Sequence, residues 1–271
     1  MLNDMSARLS GAPRAQDDLV RARLRAAGAR DRPVELAAWP LSLPARLLRA
    51  SLVFGAAAIL RLFAPIEVVG REHLQLPKAP VLLVANHSSH LDTAAILAVL
   101  PAHLRHRLAV AAAEDYFFDQ PWLGATVRLL VNAFPIRRLF GLRTTLRECR
   151  WLRAHDWSIL LFPEGTRSLD GQMAEFKAGI GLLAVELGIH VLPVHIHGVF
   201  AMLPKGQRWP QRGRMRVSFG PPLLFGPHES YASATAAIEH AVRDLALPVR
   251  PSPDERPRQG DRRLDDRIRS G

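Results

Sequence analysis

The chain has 271 residues, of which 48% are hydrophobic and 23% are charged, so most of it is predicted to fold around a core rather than to stay disordered. Its formal net charge of +11 favours anionic partners, and nucleic acid, acidic lipid and phosphorylated small molecules all fit that description. The single cysteine, Cys149, excludes an intramolecular disulfide, and no adjacent histidine or known cysteine signature marks it as a nucleophile. The length indicates either one large domain or one domain with appendages.

The N-terminal segment, residues 1–32, is polar and arginine-rich and lacks the apolar stretch of a secretory signal. The following segment, residues 33–65, is apolar and helical in pattern. Its most apolar window, from Ala50 to Leu60, is about half of the roughly 20 residues that a membrane-spanning helix needs. We therefore expect a helical segment that docks on a membrane and no transmembrane helix.

The helical pattern within this segment covers residues 44–63 and fits two kinds of helix. The first is a helix buried in the core. The second is a helix that lies at the membrane interface, with Arg46, Arg49 and Arg61 extending toward lipid headgroups. The pattern alone favours neither.

From residue 66 onward, short apolar runs alternate with helical stretches, which is typical of an α/β domain. The predicted strands are residues 66–70, 81–85, 107–113, 133–136, 158–163, 190–196 and 214–220. The predicted helices are residues 91–100, 122–131, 142–155, 176–188 and 229–247. We expect a mixed central sheet flanked by helices in a domain over residues 66–247, followed by a disordered tail, residues 248–271, that is rich in proline, arginine and aspartate.

The strongest chemical motif lies between the second predicted strand and the helix after it. It places His87 at the end of a strand and Asp92 in the first helical turn, close enough to reach back to the imidazole. A histidine held by a carboxylate is suited to act as a general base. The alternative is an aspartate that caps the helix beside a packed histidine.

No Gly-x-Ser-x-Gly motif is present, so a serine hydrolase is disfavoured. Ser88 and Ser89 adjoin the histidine, but side chains that are adjacent in sequence seldom point together. A His–Asp pair without a protein nucleophile suits a reaction in which the acceptor substrate supplies the hydroxyl group.

Three further motifs follow in the chain. Residues 162–168, Phe-Pro-Glu-Gly-Thr-Arg-Ser, come after a predicted strand and fit a polar recognition loop, although an ordinary turn with a surface ion pair is the alternative. Arg137 and Arg138 come after another strand, where a solvated basic turn is the favoured explanation as long as the motif stands alone. Pro193, inside an apolar strand, predicts either a sheet edge or a distortion.

Together and in this order, the four motifs resemble those of the glycerolipid acyltransferase family, whose best-known members are 1-acyl-glycerol-3-phosphate acyltransferases. The resemblance covers about residues 66–220 and includes Phe176, Lys177 and Gly179 after the third motif. It implies that His87 is the general base and Asp92 its orienting partner. It also implies an acceptor site formed by the following residues: Glu164, Gly165, Thr166, Arg167, Arg138 and Arg137.

The chain departs from the family pattern at two positions. Arg137 stands where an acidic residue is frequent, and Asn132 stands where glycine is common. These changes put the headgroup preference in question, not the chemistry.

The implied reaction moves a fatty acyl group from a thioester, acyl-CoA or acyl-ACP, to a hydroxyl of a lysophospholipid, with 1-acyl-glycerol-3-phosphate the favoured acceptor. Since a thioester is already activated, no metal or other cofactor is expected. The oxyanion needs a hydrogen-bond donor, and backbone N–H groups near Gly165 are the candidates. Anionic lipid at the cytoplasmic face of a membrane is the expected partner surface, with peripheral or monotopic attachment and no nucleic acid.

Other features indicate little. The Gly179-x-Gly181 pattern lies within a predicted helix, so a dinucleotide site is disfavoured. His195 and His197 alternate along one strand, but no further metal ligands are evident nearby, so packed or surface histidines are favoured. The aromatic run at residues 116–118 fits an acyl pocket or the core equally well.

Two rival functions remain. The net charge also fits a non-enzymatic protein that binds nucleic acid or anionic lipid, although no nucleic-acid-binding motif appears. A catalytically inactive lipid-binding module of the same fold is the other, and the intact His87/Asp92 and Glu164/Arg167 pairs argue against it.

Overall fold

The structure, a computed structural model, describes residues 43–75, 80–113, 120–136, 142–207 and 209–246, together with Asp17. Seven strands in these ranges form one sheet: β1 Ile66–Val69, β2 Leu82–Ala85, β3 Leu108–Ala113, β4 Ala133–Ile136, β5 Ser158–Leu161, β6 Val191–His197 and β7 Met215–Phe219. The α-helices in the same ranges are α1 Leu43–Phe63, α2 Leu91–Val99, α3 Ala102–His106, α4 Pro121–Val131, α5 Leu142–Ala154, α6 Gly179–Leu187, α7 Val199–Met202 and α8 Tyr231–Asp244.

The sheet has the order β1-β7-β6-β2-β5-β3-β4, and every pairing is parallel except that between β6 and β7. Strands β1 and β7 therefore run opposite to the other five. The mixed sheet flanked by helices confirms the predicted fold class. The unpredicted helices α3 and α7 are one turn long or little more, too short to produce a periodic pattern.

Pro193 is not at an edge of the sheet, because β6 lies between β7 and β2. Val194 pairs with Phe219, whereas Val191 bridges Leu223, so one extra residue is accommodated opposite β6. The distortion occurs where a proline, which has no N–H to donate, is tolerated. The edge interpretation was wrong, and the distortion is present.

Each face of the sheet is covered by its own hydrophobic cluster. One cluster joins α1, α2 and α3 to alternate residues of the strands, among them Leu83 and Ile196. The other joins α5, α6 and α8 to residues that point the opposite way, among them Leu82 and Val191. Cys149 is fully buried in the second cluster, and burial raises the pKa of its thiol, so a structural role fits.

Helix α1 packs on the domain along one side and exposes apolar side chains elsewhere. On one side, Ala57 and Leu60 are buried in the first cluster. Large side chains on the rest of its surface are exposed: Leu47, Leu48, Leu52, Phe54, Ile59, Leu62 and Phe63. No helix within the described ranges is both long and apolar enough to cross a bilayer.

Two arginines of α1 make hydrogen bonds to the domain. Arg49 is buried and donates hydrogen bonds to the side chain of Asn132 and to the carbonyl of His106. Arg61 donates to the carbonyl of Ala98 at 2.5 Å. The interface alternative therefore does not hold for Arg49, which is buried, whereas Arg61 is exposed and the side chain of Arg46 lies outside the described residues.

Asn132 has a structural role as well. It ends α4 with a left-handed φ of 51°, a conformation that asparagine tolerates better than most residues. Its side chain also donates to the carbonyl of Leu108 at 2.9 Å. Asn132 thus connects α1, α4 and β3, so its departure from the family's glycine is explained by helix docking.

Candidate functional site

The predicted motif residues meet at one end of the sheet, where strands β2, β5 and β6 finish. His87 follows β2, Glu164 follows β5, and His195 lies near the end of β6, and these three strands are parallel neighbours. The carboxyl ends of parallel strands place their loops side by side. The region preceding Ile66 reaches the same end of the sheet. Ile66 pairs with Met215, and the neighbouring Arg216 pairs with His197 at the end of β6.

The His87–Asp92 pair is present as predicted. Nδ1 of His87 lies 2.8 Å from Oδ2 of Asp92, and the aspartate is completely buried at the start of α2. The same oxygen accepts the backbone N–H groups of Ser88 at 2.7 Å and Ser89 at 2.8 Å. Asp92 therefore both orients the imidazole and caps the turn before α2, so the two interpretations of this motif hold together.

The ring of His87 is held from its face as well. It stacks on Phe162 with 4.2 Å between ring centroids and 22° between planes. The His87 side chain retains 21% of its exposure. Since Nδ1 is bonded to Asp92, Nε2 is the nitrogen left to exchange a proton with a substrate.

Glu164 does not point toward a ligand. It is 5% exposed, and its two carboxylate oxygens accept the backbone N–H of His87 at 2.7 Å and that of Ala174 at 3.0 Å. Burial raises the pKa of Glu164, and these two hydrogen bonds act in the opposite direction. Ser168 completes the arrangement by donating its N–H to the carbonyl of His87 at 2.9 Å.

The rest of the Glu-Gly-Thr-Arg turn faces outward. Gly165 has a φ of +74°, which favours glycine, and a Cβ there would lie 2.5 Å from Nζ of Lys177. Thr166 is exposed and Arg167 is half-buried. The N–H of Gly165 donates to the carbonyl of Phe162 at 3.1 Å, so among the N–H groups near Gly165 this one is occupied.

Lys177 was missed as a binding candidate, although its motif had been noticed. Its backbone N–H donates to the carbonyl of Pro163 at 3.1 Å, which fixes it beside the turn. Partial desolvation and the charge of Arg167 lower the pKa of His90, which shows that the arginine acts on the His87 loop as well. Arg167 and Lys177 therefore both lie beside this turn. The signal in the sequence that could have indicated Lys177 was a lysine shortly after Glu-Gly-Thr-Arg.

Asn86 was also missed. Its side chain donates to the carbonyl of Ile196 at 3.0 Å and accepts the N–H of Ile196 at 2.7 Å. It thereby continues the β2–β6 pairing by one step where the backbone turns toward His87. An asparagine directly before a strand-end histidine was the signal.

The remaining predicted site residues cannot be placed. Arg137 and Arg138 lie outside the described residues, as do residues 116–118. Within the part of the chain that the structure describes, no group of three His, Cys, Asp or Glu side chains could hold a metal ion.

Fold and site together define an α/β protein with a buried carboxylate that orients a partly exposed histidine. The family model described as Acyltransferase matches residues 65–197. The solved structure of the 1-acyl-sn-glycerophosphate (LPA) acyltransferase PlsC from Thermotoga maritima is similar over 77% of this chain and 86% of that chain, with a TM-score of 0.57 and 26% identity.

Curated relatives give the same result. A 1-acyl-sn-glycerol-3-phosphate acyltransferase of Chlamydomonas reinhardtii is 34% identical over 54% of this chain and 42% of its own length. The alpha enzyme of Homo sapiens with that activity is 27% identical over 58% of this chain and 54% of its own length. The chain spans about half the length of these relatives. The domain that contains residues 65–197 belongs to the acyltransferase family of these relatives.

Proposed function

We propose that this chain transfers a fatty acyl group from a thioester donor to the free hydroxyl of a lysophospholipid, with 1-acyl-glycerol-3-phosphate the favoured acceptor. One observation carries the proposal: the ring of His87 is oriented by Asp92 at 2.8 Å, and no serine or cysteine of the described residues bonds to that ring. A base without a protein nucleophile fits an acceptor that brings its own hydroxyl. The relatives named above act on this class of acceptor.

In the proposed reaction, Nε2 of His87 removes the proton of the acceptor hydroxyl while its oxygen attacks the thioester carbonyl. The C–S bond then breaks, and the thiolate takes the proton from the imidazolium. Asp92 stabilises the positive charge that His87 carries between the two steps. The thioester is activated before it binds, so the reaction needs no metal or organic cofactor.

We assign the acceptor phosphate to the outward side of the Glu-Gly-Thr-Arg turn. Arg167 provides a planar fork of donors suited to phosphate oxygens, and Lys177 provides a second positive charge beside Gly165. The sequence-based roles of Arg137 and Arg138 in anion binding remain part of the proposal. Glu164 is reassigned from acceptor binding to positioning of the His87 backbone, because both of its carboxylate oxygens are already bonded.

The first experiment measures thiol release from palmitoyl-CoA by the purified full chain, with and without lysophosphatidate. Release that depends on the acceptor and is lost in His87→Ala, but kept in the exposed control His228→Ala, supports the proposal. Release without any acceptor indicates a thioesterase. If no palmitoyl-CoA, acyl-ACP or other lysolipid combination gives release, a non-catalytic lipid-binding protein is the better description.

We further propose that the exposed apolar side chains of α1 dock on a membrane at the cytoplasmic face, where anionic lipid attracts a chain of net charge +11. Phe54 is 71% exposed and Leu62 is 80% exposed, and such apolar surface is normally covered. The acyl chains of both substrates would then enter from the bilayer. Membrane association is also expected because neither substrate chain is soluble.

This docking is tested by sedimentation with vesicles that contain anionic phosphatidylglycerol. Phe54→Asp with Leu62→Asp should greatly reduce the bound fraction. The matched control is Leu224→Asp, which changes a residue that is 61% exposed and adjacent to the Val191–Leu223 bridge, at the opposite edge of the sheet. Equal loss in both proteins would contradict the assignment to α1.

A further inference from the structure

A cavity of about 520 Å³ lies beside the His87 loop. Its walls come from the end of β6, the loop after Ser168, α7 and the end of α8. Asn86 and Ser88, the two sequence neighbours of His87, also line it. One end of the cavity therefore adjoins the catalytic loop.

The cavity lies at the carboxyl end of β6, and its Arg243 and Ala246 wall comes from the α8 side. Val194 and Ile196 of β6 point into the cluster beneath α1, so His195 points to the α8 face. Ile196 and α7 also line the cavity, so it spans the ends of the strands, but its His195 wall lies on the face away from α1. The His195 wall can thus be reached from the α8 side, away from the exposed apolar surface of α1.

His195 is the most informative wall residue. It is 8% exposed, and no hydrogen bond connects its ring to another described residue. Burial, followed by the charge of His197, lowers the pKa of His195 to about 4, so the ring is neutral at physiological pH. A neutral imidazole offers one donor and one acceptor, and on this wall both can bond to a molecule in the cavity.

The walls alternate between polar and apolar groups. Met173 and Phe200 are apolar, whereas Gln172 and His195 are polar. The cavity is not strongly cationic, since Arg243 is paired with Glu239 at 2.9 Å. This composition disfavours a phosphate, which needs unpaired cations, and also a bare acyl chain, which needs uniformly apolar walls.

We propose that this cavity holds the pantetheine arm of the thioester donor and that His195 hydrogen-bonds one of its amides. The arm consists of two secondary amides separated by short alkyl segments, which matches walls of alternating polarity and a neutral imidazole. Coenzyme A and acyl carrier protein both carry this arm, so the assignment covers either donor. The inference rests on the proposed thioester-dependent transfer and names the subsite for its donor.

The main test fills the cavity. Ala201→Trp places an indole at its wall, and Ala236→Trp is the matched control on the exposed face of α8. With lysophosphatidate as acceptor, the first variant should raise the KM for palmitoyl-CoA by about tenfold or more, with the KM for the acceptor unchanged. The control should match wild type. An equal rise in both KM values, or none in either, would overturn the proposal.

The hydrogen bond is tested with His195→Leu and His195→Gln. The leucine variant should raise the KM for S-palmitoyl-pantetheine by about tenfold, and the glutamine variant, which keeps a donor and an acceptor, by clearly less. A truncated donor, palmitoyl-N-acetylcysteamine, should show a smaller difference between the variants. Thermal unfolding of each variant identifies loss of fold, and identical KM values for leucine and glutamine variants would contradict a hydrogen-bonding role.

Two comparisons separate this proposal from the proposed function. Palmitoyl-CoA and palmitoyl-acyl carrier protein should be impaired equally by Ala201→Trp, and an effect confined to palmitoyl-CoA would assign the cavity to the nucleotide and overturn the pantetheine assignment. Binding of pantetheine itself, measured by calorimetry with wild type and Ala201→Trp, does not require turnover. If pantetheine binds to the wild-type protein and not to the variant, the subsite is supported even when no acyl transfer is detected. If the wild-type protein transfers acyl groups but does not bind pantetheine, the subsite is contradicted and the proposed function stands.

Discussion

His87 and His195 occupy similar places in the sheet and very different environments. Both lie near the carboxyl ends of neighbouring parallel strands. His87 is held by a carboxylate on Nδ1, by a stacked ring and through both of its backbone polar groups. His195 has no such partner and is neutral because it is buried. A strand-end position thus supplies access, and the partners determine whether the histidine is prepared for proton transfer or for binding.

Removing the carboxylate should have the largest effect on this contrast. In Asp92→Asn, the imidazolium of His87 loses its stabilising charge, and kcat should fall roughly 10³- to 10⁴-fold. The comparison variant is Asp244→Asn, because Asp244 also lies 2.8 Å from a histidine, His240, but both are exposed on α8. We expect that control to retain full activity. Similar losses in both would show that the buried pair has no special role.

Glu164→Gln should have the next largest effect. A glutamine has only one acceptor oxygen, so either the N–H of His87 or that of Ala174 faces an amide N–H₂. The displaced His87 backbone should lower kcat by about 10²-fold, with the KM for lysophosphatidate nearly unchanged. Glu175→Gln, an exposed neighbour, serves as the control. A large rise in the acceptor KM at constant kcat would return Glu164 to the acceptor-binding role that the family resemblance implied.

The contrast also predicts a dependence of stability on pH. The pKa of His195 is about 4 in the folded chain and near its ordinary value when unfolded, so the unfolded chain binds the extra proton first as pH falls. This residue should therefore make the free energy of unfolding about 2 kcal/mol smaller at pH 5 than at pH 7. Denaturant unfolding of wild type and His195→Gln at both pH values measures it. An identical pH dependence in the two proteins would argue against a neutral buried His195.

The smallest expected change concerns the ring beneath His87. Phe162→Leu keeps an apolar surface but removes the stacked ring, and kcat should fall about fivefold. Phe225→Leu, in a half-buried position within the other cluster, controls for general loss of packing. The measurement is kcat at saturating donor and acceptor. A loss as large as that in Asp92→Asn would mean that stacking, not the carboxylate, orients the histidine.

Much of the fold was predictable because each strand is a short apolar run. Strands β2 and β5 in addition end at polar motifs. The predicted boundaries of an element differ from the observed ones where residues distant in sequence accept its backbone N–H groups. The helix expected from residue 176 begins at Gly179, since Phe176 donates its N–H to Glu239 and Lys177 donates to Pro163. These partners are distant in sequence, so no local pattern could indicate them.

The chemistry of the site was predictable to a different degree for each residue. The His87–Asp92 contact is local, spanning one turn, and was therefore foreseen. The inward direction of Glu164 depends on hydrogen bonds to two loops that meet only in the folded chain, and the sequence suggested an outward role. The isolation of His195 is likewise a property of its surroundings, which alternation along β6 could not disclose.

The buried contacts of α1 have a practical consequence for making a soluble form of this protein. Residues 33–65 look like a detachable membrane segment, yet Arg49, Ala57 and Leu60 are part of the interior. Cutting the chain before Ile66 would uncover the apolar surface of α2 and leave the side chain of Asn132 without its arginine. Solubilisation should therefore replace outward residues such as Phe54 and Leu62 by polar ones while the helix itself is kept.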